Sequence, residues 1–306
     1  MYPFNIVVGS KVLLGESPVW DEREERLYWI DSKGGALFRS APDGSEQQVW
    51  KLPSMCGAFC LRESGGGILT LEDGIHLIDL QGGELEFVAD PEPYVGGRFN
   101  DGKVDRQGRF VTGSMDFRLT DPKTSWLWDR VTSECSLYRV NIDLTIDKIK
   151  DDVAIANGPA FSPDGETFYL ADSWKDRIYS YDYDIQEGTL SDERVFASYV
   201  NDKTVTGAAQ PDGATVDEEG YVWSVAVFGG EIRRYAPDGT LDRRIETPVL
   251  NPTSLVFGGT NLDILYVTSM ANSNAPNFPP DGPLAGSVFA LSGLGVCGIP
   301  ETRFAG

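Results

Sequence analysis

The stretch PAFSPDGETFYLAD (159–172) holds an apolar run, a tight polar turn and a second apolar run, and the chain contains that pattern six times. The other copies are PVWDEREERLYWID (18–31), AFCLRESGGGILTL (58–71), GKVDRQGRFVTG (102–113), ATVDEEGYVWSV (214–225) and SLVFGGTNLDILYVT (254–268). The apolar residue before each turn is Trp20, Leu61, Val104, Phe161, Val216 or Phe257, at spacings of 41, 43, 57, 55 and 41 residues. A period of about 40 to 50 residues is that of one β-propeller blade. A third strand follows each copy: ALFR (36–39), IHLIDL (75–80), SLYRV (136–140), RIYSYDYD (177–184), EIRRYAPDG (231–239) and SVFAL (287–291). A fourth is discernible in VWKL (49–52) and RVFASYV (194–200). The alternation is of period 2, and helical patterns with caps are scarce. The expected fold is all-β: one domain over 1–306, a six-bladed β-propeller with four-stranded blades around a central metal-binding channel. A strand near Phe4–Val8 is expected to complete the last blade and close the ring. Two β-sandwiches are the alternative, which the regular repeat and the lack of a linker disfavour.

In a propeller the innermost strands line the channel, so residues entering them converge. Four positions before each anchor stand Glu16, Gly57, Asn100, Asn157, Asp212 and Thr253. Carboxylate and amide oxygens crowded at one point repel each other unless a hard cation joins them, and oxygen-only ligation suits Ca²⁺, Mg²⁺ or Mn²⁺. Asx residues before strands also make plain turns. The tripeptide PDG occurs five times, and only Pro211-Asp212-Gly213 stands in the repeat register.

Composition narrows the chemistry. Among 306 residues there is one histidine, His76, so a two-histidine zinc site cannot be built, and a triad would depend on that one side chain. His76 alternates with apolar neighbours in IHLIDL and is expected to be structural. With 26 basic and 47 acidic residues the net charge is −21, which disfavours nucleic acid and anionic membrane surfaces as partners. There is no run of about 18 apolar residues, no Walker A and no G-x-G-x-x-G after a strand. The start, MYPFNIVVGSKVLLGES, lacks the basic and apolar regions of a secretory signal. Cys56, Cys60, Cys135 and Cys297 fit no zinc or redox spacing. Four unpaired thiols in the cytoplasm are expected, in a monomer or weak homo-oligomer.

The stretches Gly15-Glu16-Ser17-Pro18-Val19-Trp20, RFNDGKVDRQGRF (98–110), Ile155-Ala156-Asn157-Gly158, PDGATVDEEGYVW (211–223) and AGSVFALSGLGVCGIPETRFAG (285–306) resemble the senescence-marker-protein/gluconolactonase/luciferin-regenerating (regucalcin-like) family. The resemblance implies a six-bladed propeller that hydrolyses a sugar (aldono-) lactone with one divalent metal ion, Ca²⁺ first, with Zn²⁺, Mn²⁺ or Mg²⁺ as substitutes. It implies Glu16, Asn157 and Asp212 as metal ligands, Asp212 also as catalytic acid/base, and Arg98 and Asn100 as contacts to the lactone. In a related phosphotriesterase propeller the asparagine at the position of Asn100 is itself close to the metal. The family usually places a glutamate shortly after G-[ST]-M. Here the stretch runs Gly113-Ser114-Met115-Asp116-Phe117-Arg118, with Arg118 at that place, and both Asp116 and Arg118 are expected to contact the substrate.

Other features are less specific. Trp126 and Trp128 lie in a long insertion that either lids the substrate or packs under a loop. Asn201–Gln210 is expected to border the mouth, and 271–286 reads as a loop. Competing functions are promiscuous ester or organophosphate hydrolysis, calcium-binding regulation without catalysis, and a ligand-binding propeller. The last rests on LYWID (27–31), which resembles the YWTD repeat of receptor propellers but occurs once.

Overall fold

The computed structural model describes residues 3–9, 11–92, 96–116, 134–199, 209–271 and 281–306. In chain order the strands are β1 (Phe4–Val8), β2 (Gly15–Asp21), β3 (Arg26–Asp31), β4 (Ala36–Ser40), β5 (Gln48–Lys51), β6 (Cys56–Leu61), β7 (Gly67–Leu71) and β8 (Gly74–Ile78). Then come β9 (Leu85–Ala89), β10 (Gly97–Val104), β11 (Phe110–Asp116), β12 (Cys135–Val140), β13 (Ile146–Val153), β14 (Ala156–Phe161), β15 (Thr167–Asp172) and β16 (Arg177–Tyr183). The last are β17 (Leu190–Ser198), β18 (Gln210–Val216), β19 (Val222–Val227), β20 (Glu231–Tyr235), β21 (Leu241–Glu246), β22 (Pro252–Gly258), β23 (Ile264–Ser269) and β24 (Val288–Leu291).

They form six four-stranded antiparallel sheets, the blades of a six-bladed propeller. Five are sequential, β2 to β5 through β18 to β21, and the sixth has the order β1-β24-β23-β22. The N-terminal strand Phe4–Val8 thus supplies the outermost strand of the last blade, pairing Phe4 with Leu291 and Ile6 with Phe289. That covers an edge which would otherwise stand open to pairing with other chains.

The first strand of each blade packs on the first strand of the next, and β22 returns to β2, so β2, β6, β10, β14, β18 and β22 form the inner wall. These strands are mostly buried, as strands covered on both faces must be, while outer strands such as β5, β17 and β21 alternate or face water. Between every two neighbouring blades lies one apolar cluster. Trp223, Phe257 and Phe289 fill one such cleft, and Tyr28, Trp50 and Phe59 another. The C-terminal segment crosses the turns between first and second strands. Phe304 N–H donates to Leu61 O, Glu63 N–H to Phe304 O and Ala305 N–H to Gly108 O. Phe304 is fully buried against Phe99 and Phe110. At that end Glu301, Thr302 and Arg303 border a cavity together with inner-strand residues such as Trp20, Val104 and Leu255. No helix among the described residues is long and apolar enough to cross a membrane.

Candidate active site

All six inner strands break their pairing at the same place. The register shifts between Glu16 and Val19, Cys56 and Phe59, Phe99 and Gly102, Asn157 and Ala160, Pro211 and Ala214, and Pro252 and Leu255. A bulge inserts an unpaired residue and re-aims side chains that strict alternation would send into the blade. Glu16, Gly57, Asn100, Asn157, Asp212 and Thr253 all stand at these bulges. They lie within the strands rather than ahead of them, so the turn reading of these residues gives way to a shared structural device. Ser17 takes the left-handed conformation, φ 45°, just after Glu16. Its hydroxyl holds that strained position by donating to Phe59 O at 3.1 Å and accepting from Phe59 N–H at 2.9 Å.

Two of the six positions make room or join blades instead of offering donors. A Cβ on Gly57 would stand 2.5 Å from Asn100 O and 2.6 Å from Phe99 O, so only glycine lets β6 and β10 approach. The Thr253 hydroxyl is engaged with Gly15 O and with Thr268 Oγ1, stitching the last blade to the first.

The remaining four form a connected cluster. Asn100 Nδ2 donates to Ala156 O at 2.8 Å and to Asn157 Oδ1 at 2.6 Å. Asn157 Nδ2 donates to Ser173 Oγ at 2.8 Å, and that hydroxyl donates to Pro211 O at 2.6 Å. The chain of bonds fixes which end of the Asn157 amide is oxygen and ties three blades together. Arg98 is buried, with Nη1 donating to Phe99 O at 2.7 Å and to Asn100 Oδ1 at 3.2 Å, while its buried Nε finds no hydrogen-bond partner.

Burial raises the proton affinity of Glu16 well above the carboxylate range, and the charges of Asp212 and Asp101 raise it further, against the pull of Arg98. Asp212 is held up in the same way by burial and by Asp101. Asp101 itself is pushed up to about 6 by burial, although its carboxylate accepts from Gly102 N–H at 2.8 Å and Gly158 N–H at 2.9 Å. Three acidic side chains from three blades therefore sense one another at one end of the channel.

Glu16, Arg98, Asn100, Asn157 and Asp212 are thus brought together. Asp116 is buried at the end of β11, paired with Gly97. Its charge bears on Cys135 of β12. Arg118, Trp126 and Trp128 lie outside the described residues, as do most of Asn201–Gln210 and of 271–286. His76 is a buried structural residue, 2.9 Å from Asp73 Oδ1 and edge-on to Phe87. Two residues escaped the sequence reading. Asp101 sits beside Asn100 in RFNDGKVD, and Lys33 lies in the β3–β4 turn, within electrostatic reach of Arg98, Asp31 and Glu16.

The donor set suits a hard divalent cation: two carboxylates and an amide oxygen, with no thiolate or imidazole beside them. Among the described residues no three His, Cys, Asp or Glu side chains stand together in a chelating arrangement. A cation at this place would have the Glu16 and Asp212 carboxylates and the Asn157 amide oxygen as its protein donors.

The chain matches the model of the SMP-30/gluconolactonase/LRE-like region over residues 14–271. It is 38% identical over 304 residues to 6-deoxy-6-sulfogluconolactonase of Pseudomonas putida, covering 98% of each chain. It is 31% identical over 303 residues to L-arabinolactonase of Azospirillum brasilense, covering 98% of this chain and 95% of that one. Its structure superposes on the calcium-binding protein regucalcin from Agrobacterium tumefaciens with a TM-score of 0.85 at 27% identity, covering 99% and 97%. The chain belongs to the SMP-30/gluconolactonase/LRE-like family.

Proposed function

We propose that this protein is a metal-dependent hydrolase of sugar lactones, opening an aldonolactone to the aldonic acid. The observation that carries the reading is the convergence at one end of the channel of Glu16, Asp212 and Asn157, from bulges in three blades, with Arg98 from a fourth. Full-length similarity to two sugar lactonases supports the substrate class. The likeness to a calcium-binding regucalcin supports a divalent cation, with Ca²⁺ preferred and Zn²⁺, Mn²⁺ or Mg²⁺ as alternatives.

Lactone hydrolysis requires a polarised carbonyl, an attacking water and a proton for the leaving alkoxide. Glu16, Asn157 and Asp212 would hold a divalent cation, which when bound would supply Lewis acidity toward the carbonyl. Asp212 removes the proton from the attacking water and returns it to the ring oxygen as the acyl C–O bond opens. A neighbouring cation lowers carboxylate basicity, and burial together with Asp101 opposes that effect. Arg98, its guanidinium fixed by bonds from Nη1 to Phe99 O and Asn100 Oδ1, would orient substrate oxygens. Asn100 has spent both amide protons on Ala156 O and Asn157 Oδ1, so it holds Asn157 in place and has only an Oδ1 lone pair for a sugar hydroxyl. No imidazole takes part. This reading includes one propeller over 1–306, working as a monomer or weak homo-oligomer in the cytoplasm.

The test is a pH-indicator assay over a panel of aldonolactones, with EDTA treatment and add-back of each metal. Hydrolysis that EDTA abolishes and a divalent ion restores is expected. Failure to hydrolyse any lactone above the uncatalysed rate would refute the proposal and leave calcium-binding regulation as the reading of the same site.

A further inference from the structure

Resting on the divalent-cation part of the lactonase reading, we propose that Ser173 is a positioning residue of the cation site: its hydroxyl sets which atom of the Asn157 amide faces the cation. Two groups that work in one direction only define the geometry. The Arg98 guanidinium can only donate, and a carbonyl such as Pro211 O can only accept. One chain of hydrogen bonds joins them. Arg98 Nη1 donates to Asn100 Oδ1 at 3.2 Å, and Asn100 Nδ2 donates to Asn157 Oδ1 at 2.6 Å. Asn157 Nδ2 donates to Ser173 Oγ at 2.8 Å, and Ser173 Oγ donates to Pro211 O at 2.6 Å.

With both ends fixed, no link in the chain can be reversed. The single hydroxyl proton of Ser173 is committed to Pro211 O. Toward Asn157 the oxygen therefore has only a lone pair and must meet the Nδ2 side of the amide. Asn157 Oδ1 is thereby turned to Asn100, and its second lone pair is left for a cation. That choice matters because a side-chain amide has two nearly equivalent orientations about χ2, and a hard cation is ligated only by the oxygen. Pro211 also precedes Asp212, so the hydroxyl ties the amide ligand of one blade to the strand that carries the carboxylate ligand of the next.

Ser173 is pinned by its own surroundings. It begins the short 3-10 helix Ser173–Lys175 between β15 and β16, which packs against β18. The Asp172 carboxylate anchors that turn, accepting from Ala154 N–H at 3.0 Å, Ile155 N–H at 3.2 Å and Lys175 N–H at 3.4 Å. Ser173 N–H donates to Ile155 O at 3.2 Å. Ser173 and Asn157 are both buried, so losing the hydroxyl leaves the Asn157 Nδ2 group short of an acceptor away from bulk water. A partner that orients a metal ligand in this way is worth about 10- to 100-fold in metal affinity. A mere tie between blades would act on folding alone.

The experiment titrates Ca²⁺ into the metal-free full chain by calorimetry, for the parent and for Ser173→Ala, Ser173→Cys and Ser173→Thr. Zn²⁺, Mn²⁺ and Mg²⁺ follow in turn if the parent takes up no Ca²⁺. Cysteine keeps the size of serine but hydrogen-bonds weakly, and threonine keeps the hydroxyl. Kd is expected to weaken about tenfold or more in Ser173→Ala and Ser173→Cys, with Ser173→Thr restoring most of the affinity. If Ser173→Ala does not fold, Ser173→Cys carries the same reading. An unchanged Kd in the variants without the hydroxyl, even beside a lowered Tm of their metal-free forms, would overturn the proposal, because the hydroxyl would then only join blades. Equal weakening in all three variants would overturn it too, since the effect would not follow the hydroxyl. The titration needs no turnover. A parent that binds an ion and hydrolyses no lactone refutes the lactonase reading and leaves the role of Ser173 standing, whereas a parent that binds none of the four ions overturns that role.

Discussion

Replacing Asp101 by asparagine should weaken the loss of stability with rising pH in the metal-free protein, so that the difference from the parent changes sign between low and high pH. Burial lifts the Asp101 carboxyl from an ordinary 3.8 to about 6. A carboxyl whose proton affinity is higher folded than unfolded contributes stability while protonated, and loses that contribution as pH rises through both values. At about 1.4 kcal/mol per tenfold in proton affinity, the rise corresponds to about 3 kcal/mol lost between pH 4 and pH 7. Asparagine removes that cost and relieves Glu16 and Asp212, which both feel the Asp101 charge. It also loses one acceptor, because Asp101 serves Gly102 N–H and Gly158 N–H with separate oxygens, at a cost of about 1 to 2 kcal/mol. The balance is a variant more stable than the parent by about 1 to 2 kcal/mol at pH 8 and less stable by a similar amount below pH 4. Urea unfolding in EDTA at pH 4, 6 and 8, followed by tryptophan fluorescence, measures this. A variant less stable than the parent at pH 8, or one whose difference from the parent does not change with pH, would show that the carboxylates are not crowded as described.

Two further outcomes follow from packing. Phe304→Ala removes a fully buried ring beneath two blades and should cost about 3 to 5 kcal/mol, seen as a lower Tm of the whole chain. Retention of the parental Tm would mean the C-terminal segment is not part of the folded ring. Burial pushes the thiols of Cys56, Cys60 and Cys135 up to about 12, whereas Cys297 is partly exposed. Titration with a chromogenic disulfide at pH 8 should therefore count one reactive thiol in the native protein and four in denaturant. Two or more fast thiols in the native state would contradict the burial.

The fold was largely legible because a blade is a local unit. Each meander folds back within about 40 residues, so apolar alternation and turn chemistry stand in plain sequence. Closure by Phe4–Val8 was legible for the same reason: a ring of meanders leaves one edge to fill. The line of residues four before each anchor was legible because the repeat conserves register, and it coincides with the six bulges. What those bulges do to neighbours was not legible. Period-2 alternation sends consecutive residues to opposite faces, so Asn100 in the site argues against Asp101 beside it. The shift between Phe99 and Gly102 breaks that alternation and lets both take part. Lys33 was hidden for a different reason, since a turn residue has no periodicity to read. The C-terminal segment pairs only through isolated bridges such as Arg62 with Phe304 and Asp217 with Gly298, which leave no strand pattern in sequence.

The central claim is that Asp212 moves the proton at a cation held by oxygen ligands. It is tested most directly by the turnover of Asp212→Asn on glucono-1,5-lactone, with bound metal quantified in the same sample at saturating metal. Asparagine keeps an oxygen donor and loses the base, so kcat should fall by about 10² to 10⁴ with metal still bound. Full turnover of a metal-loaded Asp212→Asn enzyme would contradict the account.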